Sequence, residues 1–134
     1  MISAALFCLS LNVYNEARGE QVKGQFAVAE VTWNRAEHKA RKVCKVVTEP
    51  RQFSWTISGL KFERGHYHLT NKGTAKDKKA WNMSLQVAKY TMMGYAPDVV
   101  HGATYYHTKQ VKPFWAKDYK LVAVVGQHLF YKAG

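Results

Sequence analysis

The chain has 134 residues, 47% of them hydrophobic and 22% charged, which suits one folded domain over residues 1–134 and excludes a disordered polymer. Its net charge of +11, from 20 Lys and Arg against 9 Asp and Glu, favours an anionic partner. Nucleic acid, an anionic membrane face and an acidic cell-wall polymer all fit, so charge alone does not choose among them.

The first predicted element is a helix from about Ile2 to Asn15 or Glu16, which Gly19 is expected to end. Apolar residues recur on one face of it at alternating three- and four-residue steps, namely Ile2, Leu6, Leu9 and Val13. Glu16 continues that face. The apolar run is too short to span a bilayer, and no Lys or Arg precedes it as in a signal peptide. We therefore expect the chain to keep this helix and to begin in the cytoplasm.

Two longer helices and a short one are predicted next. The second helix runs from about Gln21 to Glu37, and its apolar face comprises Val22, Phe26, Ala29, Trp33 and Ala36. A short helical turn at Val43–Thr48 precedes residues 51–76, whose aromatic, glycine and polar composition indicates a long structured loop. The next helix covers about Asp77 to Met93 and is closed by Gly94. Its apolar face comprises Trp81, Leu85, Ala88 and Met92.

The last part of the chain changes to strand patterns. Residues 103–107, 121–125 and 128–132 are predicted strands, and Gly126-Gln127 is expected to join the last two in a hairpin. The sum is an α+β domain, with a helical body and a small antiparallel sheet near the C-terminus.

Cys8 and Cys44 are the only cysteines, too few for a disulfide scaffold. Both have apolar neighbours in the sequence, which favours buried free thiols. A bridge between the two stays open.

Glu16 is the residue whose position most needs an explanation. An acid at the end of an apolar face must be paired, protonated or active, because burying an unpaired charge is costly. The apolar setting and the negative end of a helix both raise a carboxyl pKa, the direction that a general acid needs near neutral pH. A salt bridge to Arg18 or another arginine is the alternative that the spacing leaves open.

Several sequence blocks resemble one family of enzymes. The opening blocks are Tyr14-Asn15-Glu16-Ala17-Arg18-Gly19-Glu20, Gly24–Ala29 and Asn34-Arg35. The later blocks are Gln52-Phe53-Ser54-Trp55, Gly102–Thr108, Pro113–Ala116 and Gly126–Tyr131. In this order, from about residue 12 to 132, they resemble the SleB/CwlJ cell wall hydrolase family, and their number and order argue against a chance match.

The resemblance implies a peptidoglycan-cleaving enzyme with a lysozyme-like helical core, similar to lytic transglycosylases, and it makes Glu16 the catalytic glutamate. In that reaction one carboxyl group protonates the glycosidic oxygen and then deprotonates the muramic C6 hydroxyl, which closes on C1. Ordinary glycosidases need a second carboxylate. Glu30 stands where the family has a small apolar residue, and it is either that second acid or a solvated, salt-bridged side chain.

The resemblance also implies residues near the cleavage point. Those expected to contact substrate are Tyr14, Gln25, Ser54, Trp55, Tyr106, His107 and Trp115. Those expected to shape the motif are Arg18, Gly19 and Glu20, with Glu20 positioning the turn and the second helix. No cofactor and no metal are expected, because the six histidines show no His-x-x-x-His spacing.

The leading hypothesis is a lytic transglycosylase that cuts the MurNAc-GlcNAc bond as a phage endolysin. Such a monomer would wait in the host bacterial cytoplasm until a holin releases it, and its charge would favour transient contact with anionic membrane or wall surfaces. The alternatives on the same polymer are a hydrolytic muramidase and an N-acetylmuramoyl-L-alanine amidase. The alternative from another class is a basic nucleic-acid-binding module, but no recognised binding motif accompanies the charge, and no nucleic-acid partner is expected.

Overall fold

The computed structural model describes residues 3–49, 60–63, 66–69 and 77–133. Within these ranges the α-helices are α1 (Ala4–Ala17), α2 (Val22–Arg35), α3 (Ala40–Val47) and α4 (Lys78–Met92). The strands are β1 (Leu60–Glu63), β2 (His66–Leu69), β3 (Tyr105–Thr108), β4 (Lys120–Val125) and β5 (His128–Lys132). A short 3-10 helix, Phe114–Asp118, lies between β3 and β4. The predicted α+β class, with a small antiparallel sheet near the C-terminus, is confirmed.

Helix α1 is the centre of the helical body. Nine of its 14 residues are buried, because it is apolar on nearly every side and packs against α2, α3 and α4. Leu9, Leu11 and Val13 are fully buried in the shared core, and each contributes on the order of 1.5–3 kcal/mol through burial. The hydroxyl of Ser3 accepts a hydrogen bond from the Leu6 backbone N–H at 3.2 Å and so caps the N-terminus of the helix.

Helix α2 separates two cores. One side of it, which includes Ala29 and Trp33, joins the helical core, and the other side, which includes Val28 and Val31, packs on the sheet. The predicted apolar face therefore accounts for only the first side. Its member Val22 is 46% exposed, since it begins α2 at the edge of the packed region, so this part of the prediction was wrong.

Cys8 and Cys44 form a disulfide between α1 and α3, so the interpretation as free thiols was wrong. Their Cα atoms are 5.3 Å apart, within the usual span of a disulfide. Their apolar neighbours in the sequence predicted burial, and both cysteines are buried. Only the packing of α3 on α1 brings the two residues together.

The region predicted as a long loop contains a hairpin. Strands β1 and β2 pair antiparallel, with Leu60 opposite Leu69 and Glu63 opposite His66. Four-residue strands in a glycine-rich and polar segment give little periodicity, which is why the sequence did not predict them. Residues 50–59, 64–65 and 70–76 lie outside the described residues, and Ser54 and Trp55 are among them.

Strands β3, β5 and β4 form an antiparallel sheet in that order, with β5 in the centre. The predicted hairpin between β4 and β5 is confirmed, and Gly126 turns it with a positive φ of 57°. Tyr106 pairs with Phe130 and His107 with Leu129 across β3 and β5. Because side chains alternate along a strand, Tyr106 and His107 point to opposite faces of the sheet. None of the helices in the described ranges is long and apolar enough to cross a membrane.

Candidate active site

Glu16 lies in the last turn of α1. The hydroxyl of Tyr106 donates a hydrogen bond to Glu16 Oε1 at 2.8 Å, joining α1 to β3. Burial raises the pKa of Glu16 above its ordinary value of 4.5, and the hydrogen bond from Tyr106 partly offsets that rise. This is the direction expected from the sequence, with burial as its leading cause.

Two buried polar residues, one on α1 and one on α2, form a hydrogen bond close to the Glu16–Tyr106 pair. Asn12 precedes Glu16 by one helical turn on the same face of α1, and its Oδ1 accepts a 2.6 Å hydrogen bond from Thr32 Oγ1 on α2. Asn12 and Thr32 are both fully buried. The amide of Asn12 also lowers the pKa of the Tyr106 hydroxyl, although burial and Glu16 raise that pKa further, well above 10.0.

Neither Asn12 nor Thr32 was predicted from the sequence as part of the site. The amide nitrogen of Asn12 is buried and has no hydrogen bond of good geometry to any described residue, so it is held near Tyr106 at a cost. A signal was available, because Asn12 is a polar residue inside an apolar helix and stands four positions before Glu16.

The C-terminal turn of α2 fixes the chain that enters β3. Asn34 Nδ2 donates to the carbonyl of Ala103 at 3.0 Å, and Arg35 Nη1 donates to the carbonyl of Thr104 at 3.2 Å. Arg35 Nη2 also pairs with Glu49 at 3.1 Å, and its guanidinium lies 5.0 Å from the centre of the Tyr105 ring. These contacts set where β3 begins, and therefore where the Tyr106 hydroxyl meets Glu16.

Glu20 reaches from the α1–α2 turn to the β4–β5 turn. Its Oε1 accepts a hydrogen bond from the Gln127 backbone N–H at 3.2 Å and lies 3.1 Å from His128 Nδ1, away from the ideal hydrogen-bond direction. A side chain at Gly126 would place its Cβ 2.5 Å from Glu20 Oε2. Burial lowers the pKa of His128, while Glu20 acts in the opposite direction. Glu20 thus lies where a positioning residue would act, and it holds the sheet hairpin as well as the turn.

The other motif residues have local contacts. Arg18 Nη1 donates to the carbonyl of Tyr14 at 3.1 Å, and its guanidinium lies 4.7 Å from the centre of the Tyr14 ring. Within residues 3–49 and 77–133, Glu16 has no ion pair with Arg18 or any other arginine. Gly19 follows the cap residue Arg18 but does not take the positive φ that a glycine helix stop usually has.

Two residues expected to contact substrate are buried. Tyr14 is 5% exposed, its hydroxyl accepts a hydrogen bond from the Asp77 backbone N–H at 3.2 Å, and its ring meets Trp81 edge-on. Gln25 is 6% exposed, and its Nε2 donates to the Glu20 carbonyl at 3.1 Å. Both side chains brace the site, and a direct contact with substrate stays a prediction for each.

Glu30 lies away from Glu16. Thr32, whose hydroxyl contacts Asn12 of α1, follows Glu30 by two residues on α2. Two residues correspond to about 200° around a helix, so Glu30 and Thr32 lie on opposite sides of α2. Burial and the charge of Asp98 raise the pKa of Glu30 to about 7. The acid that perturbs Glu30 is thus Asp98 and not Glu16.

The sheet separates the three residues expected to share a groove. Tyr106 faces Glu16, whereas His107 lies on the opposite face, where its ring stacks on Tyr131 and meets Trp115 edge-on. His107 and Trp115 therefore do not join the Glu16 site in this structure. Among the described residues, no three His, Cys, Asp or Glu side chains come together as metal ligands.

The cell wall hydrolase family model matches residues 19–131, a span that includes Glu20 and begins three residues after Glu16. The structure is similar to the catalytic domain of the germination-specific lytic transglycosylase SleB from Bacillus anthracis, with a TM-score of 0.71 and 24% identity over 98% of this chain and 97% of that chain. The catalytic domain of the Bacillus cereus SleB protein is similar, with a TM-score of 0.68 and 26% identity over 98% of this chain and 93% of that chain. No curated protein sequence matches. The match over most of its length shows that this chain belongs to the cell wall hydrolase family.

Proposed function

We propose that the protein cuts the MurNAc-GlcNAc bond of peptidoglycan as a lytic transglycosylase, with Glu16 as its acid and base. The observation that carries this proposal is a part-buried carboxyl group whose pKa is raised by burial and not by a neighbouring carboxylate. The similarity to a SleB domain that is described as a lytic transglycosylase supports the same reaction type.

The reaction uses one carboxyl group twice. Protonated Glu16 gives its proton to the glycosidic oxygen, and the bond from that oxygen to C1 of the muramic sugar breaks. The resulting carboxylate takes the proton of the C6 hydroxyl, whose oxygen bonds to C1 and forms the 1,6-anhydro ring. Glu16 is protonated again at the end, and no water is consumed.

Tyr106 suits the second half of this cycle. A hydroxyl that donates to a carboxylate stabilises the ionised form, which exists only between the two proton transfers. Burial favours the protonated form needed at the start. Burial therefore raises the pKa of Glu16 and the hydrogen bond limits that rise, so each effect favours one of the two protonation states through which the group passes.

Digestion of purified sacculi by wild type and by Glu16→Gln, followed by mass spectrometry, tests the proposal. Wild type should release muropeptides with 1,6-anhydro ends, and Glu16→Gln should lose about a hundred- to ten-thousandfold in rate, since general acid–base catalysis typically contributes 10²–10⁴-fold. Glu20→Gln is the matched control and should keep the same products, because Glu20 contacts the sheet hairpin. Hydrated reducing ends would indicate a muramidase, and released amino groups would indicate an amidase.

We further propose that the enzyme acts in host lysis as an endolysin released from the cytoplasm. Its net charge of +11 supports contact with anionic envelope surfaces, and the disulfide suits the oxidising compartment that the enzyme would enter on release. Expression in a bacterial host with and without a holin tests this setting. Lysis should require both proteins, and rapid lysis without the holin would contradict cytoplasmic retention.

A further inference from the structure

The face of the β3-β5-β4 sheet that points away from Glu16 carries a cleft. Its volume is about 440 Å³, within the range of small-ligand sites, which is roughly 300–1,000 Å³. Sheet residues His107, Leu129 and Tyr131 form one wall, and the segment 109–117 forms the other.

The aromatic rings in the sheet wall of this cleft pack against one another. The Tyr131 hydroxyl and His107 Nε2 are 2.8 Å apart, and His107 Nδ1 lies 2.7 Å from the Thr108 carbonyl. A histidine that donates from Nδ1 to this carbonyl accepts from Tyr131 at Nε2, which fixes its ring orientation. Trp115 packs edge-on against both rings, with centroids 5.7 Å from His107 and 5.3 Å from Tyr131. A ligand would meet a surface that is already in place.

The rim of the cleft is cationic. Lys109, Lys112 and Lys117 line it, and no described lining residue is an acid. The remaining lining is mostly apolar, with Val111 51% exposed at the edge. A mostly apolar lining beside three ammonium groups suits a ligand with an aliphatic body and several carboxylates. The stem peptides of peptidoglycan have this chemistry, with alanine methyl groups, the hydrocarbon chain of a diamino acid and free carboxylates.

We propose that this cleft binds the anionic stem peptide of the glycan strand on which Glu16 acts. The inference rests on the proposed function. The two sites share strand β3, since Tyr106 faces Glu16 and its neighbour His107 faces the cleft. Strand β3 is an edge strand of its sheet. A peptide attached to a sugar near Glu16 would therefore pass only the edge of β3 to enter the cleft on the other face.

The experiment compares intact glycan strands with strands whose peptides an amidase has removed. Binding is measured in the inactive Glu16→Gln background, and cleavage is measured in the active enzyme. Lys109→Glu with Lys112→Glu should weaken binding to intact strands about 3- to 30-fold, since exposed ion pairs contribute modestly and charge reversal adds repulsion. The same pair of substitutions should change binding to peptide-free strands less than about twofold.

The double substitution Lys45→Glu with Lys89→Glu is the matched control, because these are exposed lysines in the last turns of α3 and α4 that do not line the cleft, and the change in net charge is the same. It should bind both substrates as tightly as the parent, which distinguishes an effect of the cleft lysines from an effect of the lower net charge. Equal loss on intact and peptide-free strands would overturn the proposal, as would unchanged binding to intact strands. A loss of binding to anionic lipid vesicles without any loss on strands would assign the cleft to a membrane surface instead. If wild type releases no anhydro ends, the proposed reaction fails, whereas these binding results concern the cleft alone.

Discussion

Replacing Tyr106 with phenylalanine tests how the carboxyl of Glu16 is tuned. The substitution removes the hydroxyl that donates to Glu16 Oε1 at 2.8 Å. The ring keeps its contacts with His128 and Phe130, whose centroids lie 5.3 Å and 5.6 Å away. The effect is therefore centred on the hydrogen bond to Glu16, with the nearby Asn12 amide as the other group that acts on the hydroxyl.

The size of the effect follows from the nature of that bond. A hydrogen bond to a charged group contributes about 1.5–3 kcal/mol, and the lower end applies because this one is only partly buried. A loss of about 1.4 kcal/mol from the transition state lowers the rate about tenfold. The hydrogen bond lowers the pKa of Glu16, so its removal raises that pKa further above 4.5.

Two assays follow, one on rate and one on stability. Activity requires protonated Glu16 at the start, so the alkaline limb of the pH–rate profile should move to higher pH in Tyr106→Phe. The folded pKa of Glu16 lies above the unfolded value, so the stability it contributes is present below 4.5 and is lost as the pH rises through the folded pKa. The Tyr106 bond favours the ionised form, so the variant should lose more unfolding free energy at about pH 8 than at about pH 4.

Tyr105→Phe is the control, because Tyr105 is the adjacent residue and packs on the opposite face of the sheet against Trp115 and Tyr119. It should leave the alkaline limb in place. A limb that stays fixed or moves to lower pH in Tyr106→Phe would refute the role assigned to the hydroxyl, as would equal destabilisation at both pH values.

Three further predictions concern Glu30, Gly126 and the disulfide. Glu30→Gln should keep sacculus clearing within about twofold. It should also raise the unfolding free energy at about pH 8 by roughly 1 kcal/mol after allowance for solvent screening. The reason is that the folded pKa of Glu30, about 7, exceeds 4.5, so the stability that this group contributes at low pH is lost between those values. Urea unfolding at two pH values measures this, and lost clearing would return Glu30 to the reaction. Gly126→Ala should lower the unfolding free energy by about 1–3 kcal/mol, because the φ of Gly126 is positive and the new Cβ would meet Glu20. In the control Gly19→Ala the new Cβ meets nothing within 4 Å, so thermal unfolding should not change. Equal effects of the two substitutions would contradict this. Reducing the disulfide, whose cysteines are 36 residues apart, should lower the unfolding free energy by about 4 kcal/mol, and no change with reductant would show that the bridge is absent in solution.

Local pattern was enough for α1, α2, α4 and the C-terminal hairpin, whereas α3 begins at Ala40, before the short turn predicted at Val43–Thr48. The helix predicted from Asp77 begins with the Asp77 side chain accepting a hydrogen bond from the Ala80 N–H, and it ends at Gly94, whose φ is +80°. Strand β5 was predicted with its observed ends. These features depend on periodicity, capping side chains and turn glycines, all of which lie within a few residues of each other in the sequence.

The sequence by itself determined the family, the α+β class and the anomaly of an acid at the end of an apolar helix face. Tertiary structure alone decided what surrounds that acid. Tyr106 is 90 positions from Glu16, and Thr32 is 20 from Asn12, so packing and not spacing brings these pairs together. Strand register placed His107 on the opposite face from Tyr106, because a one-residue step along a strand reverses the side chain. Helix packing turned Glu30 away from Glu16, since the sequence defines the faces of α2 but not which of them meets α1.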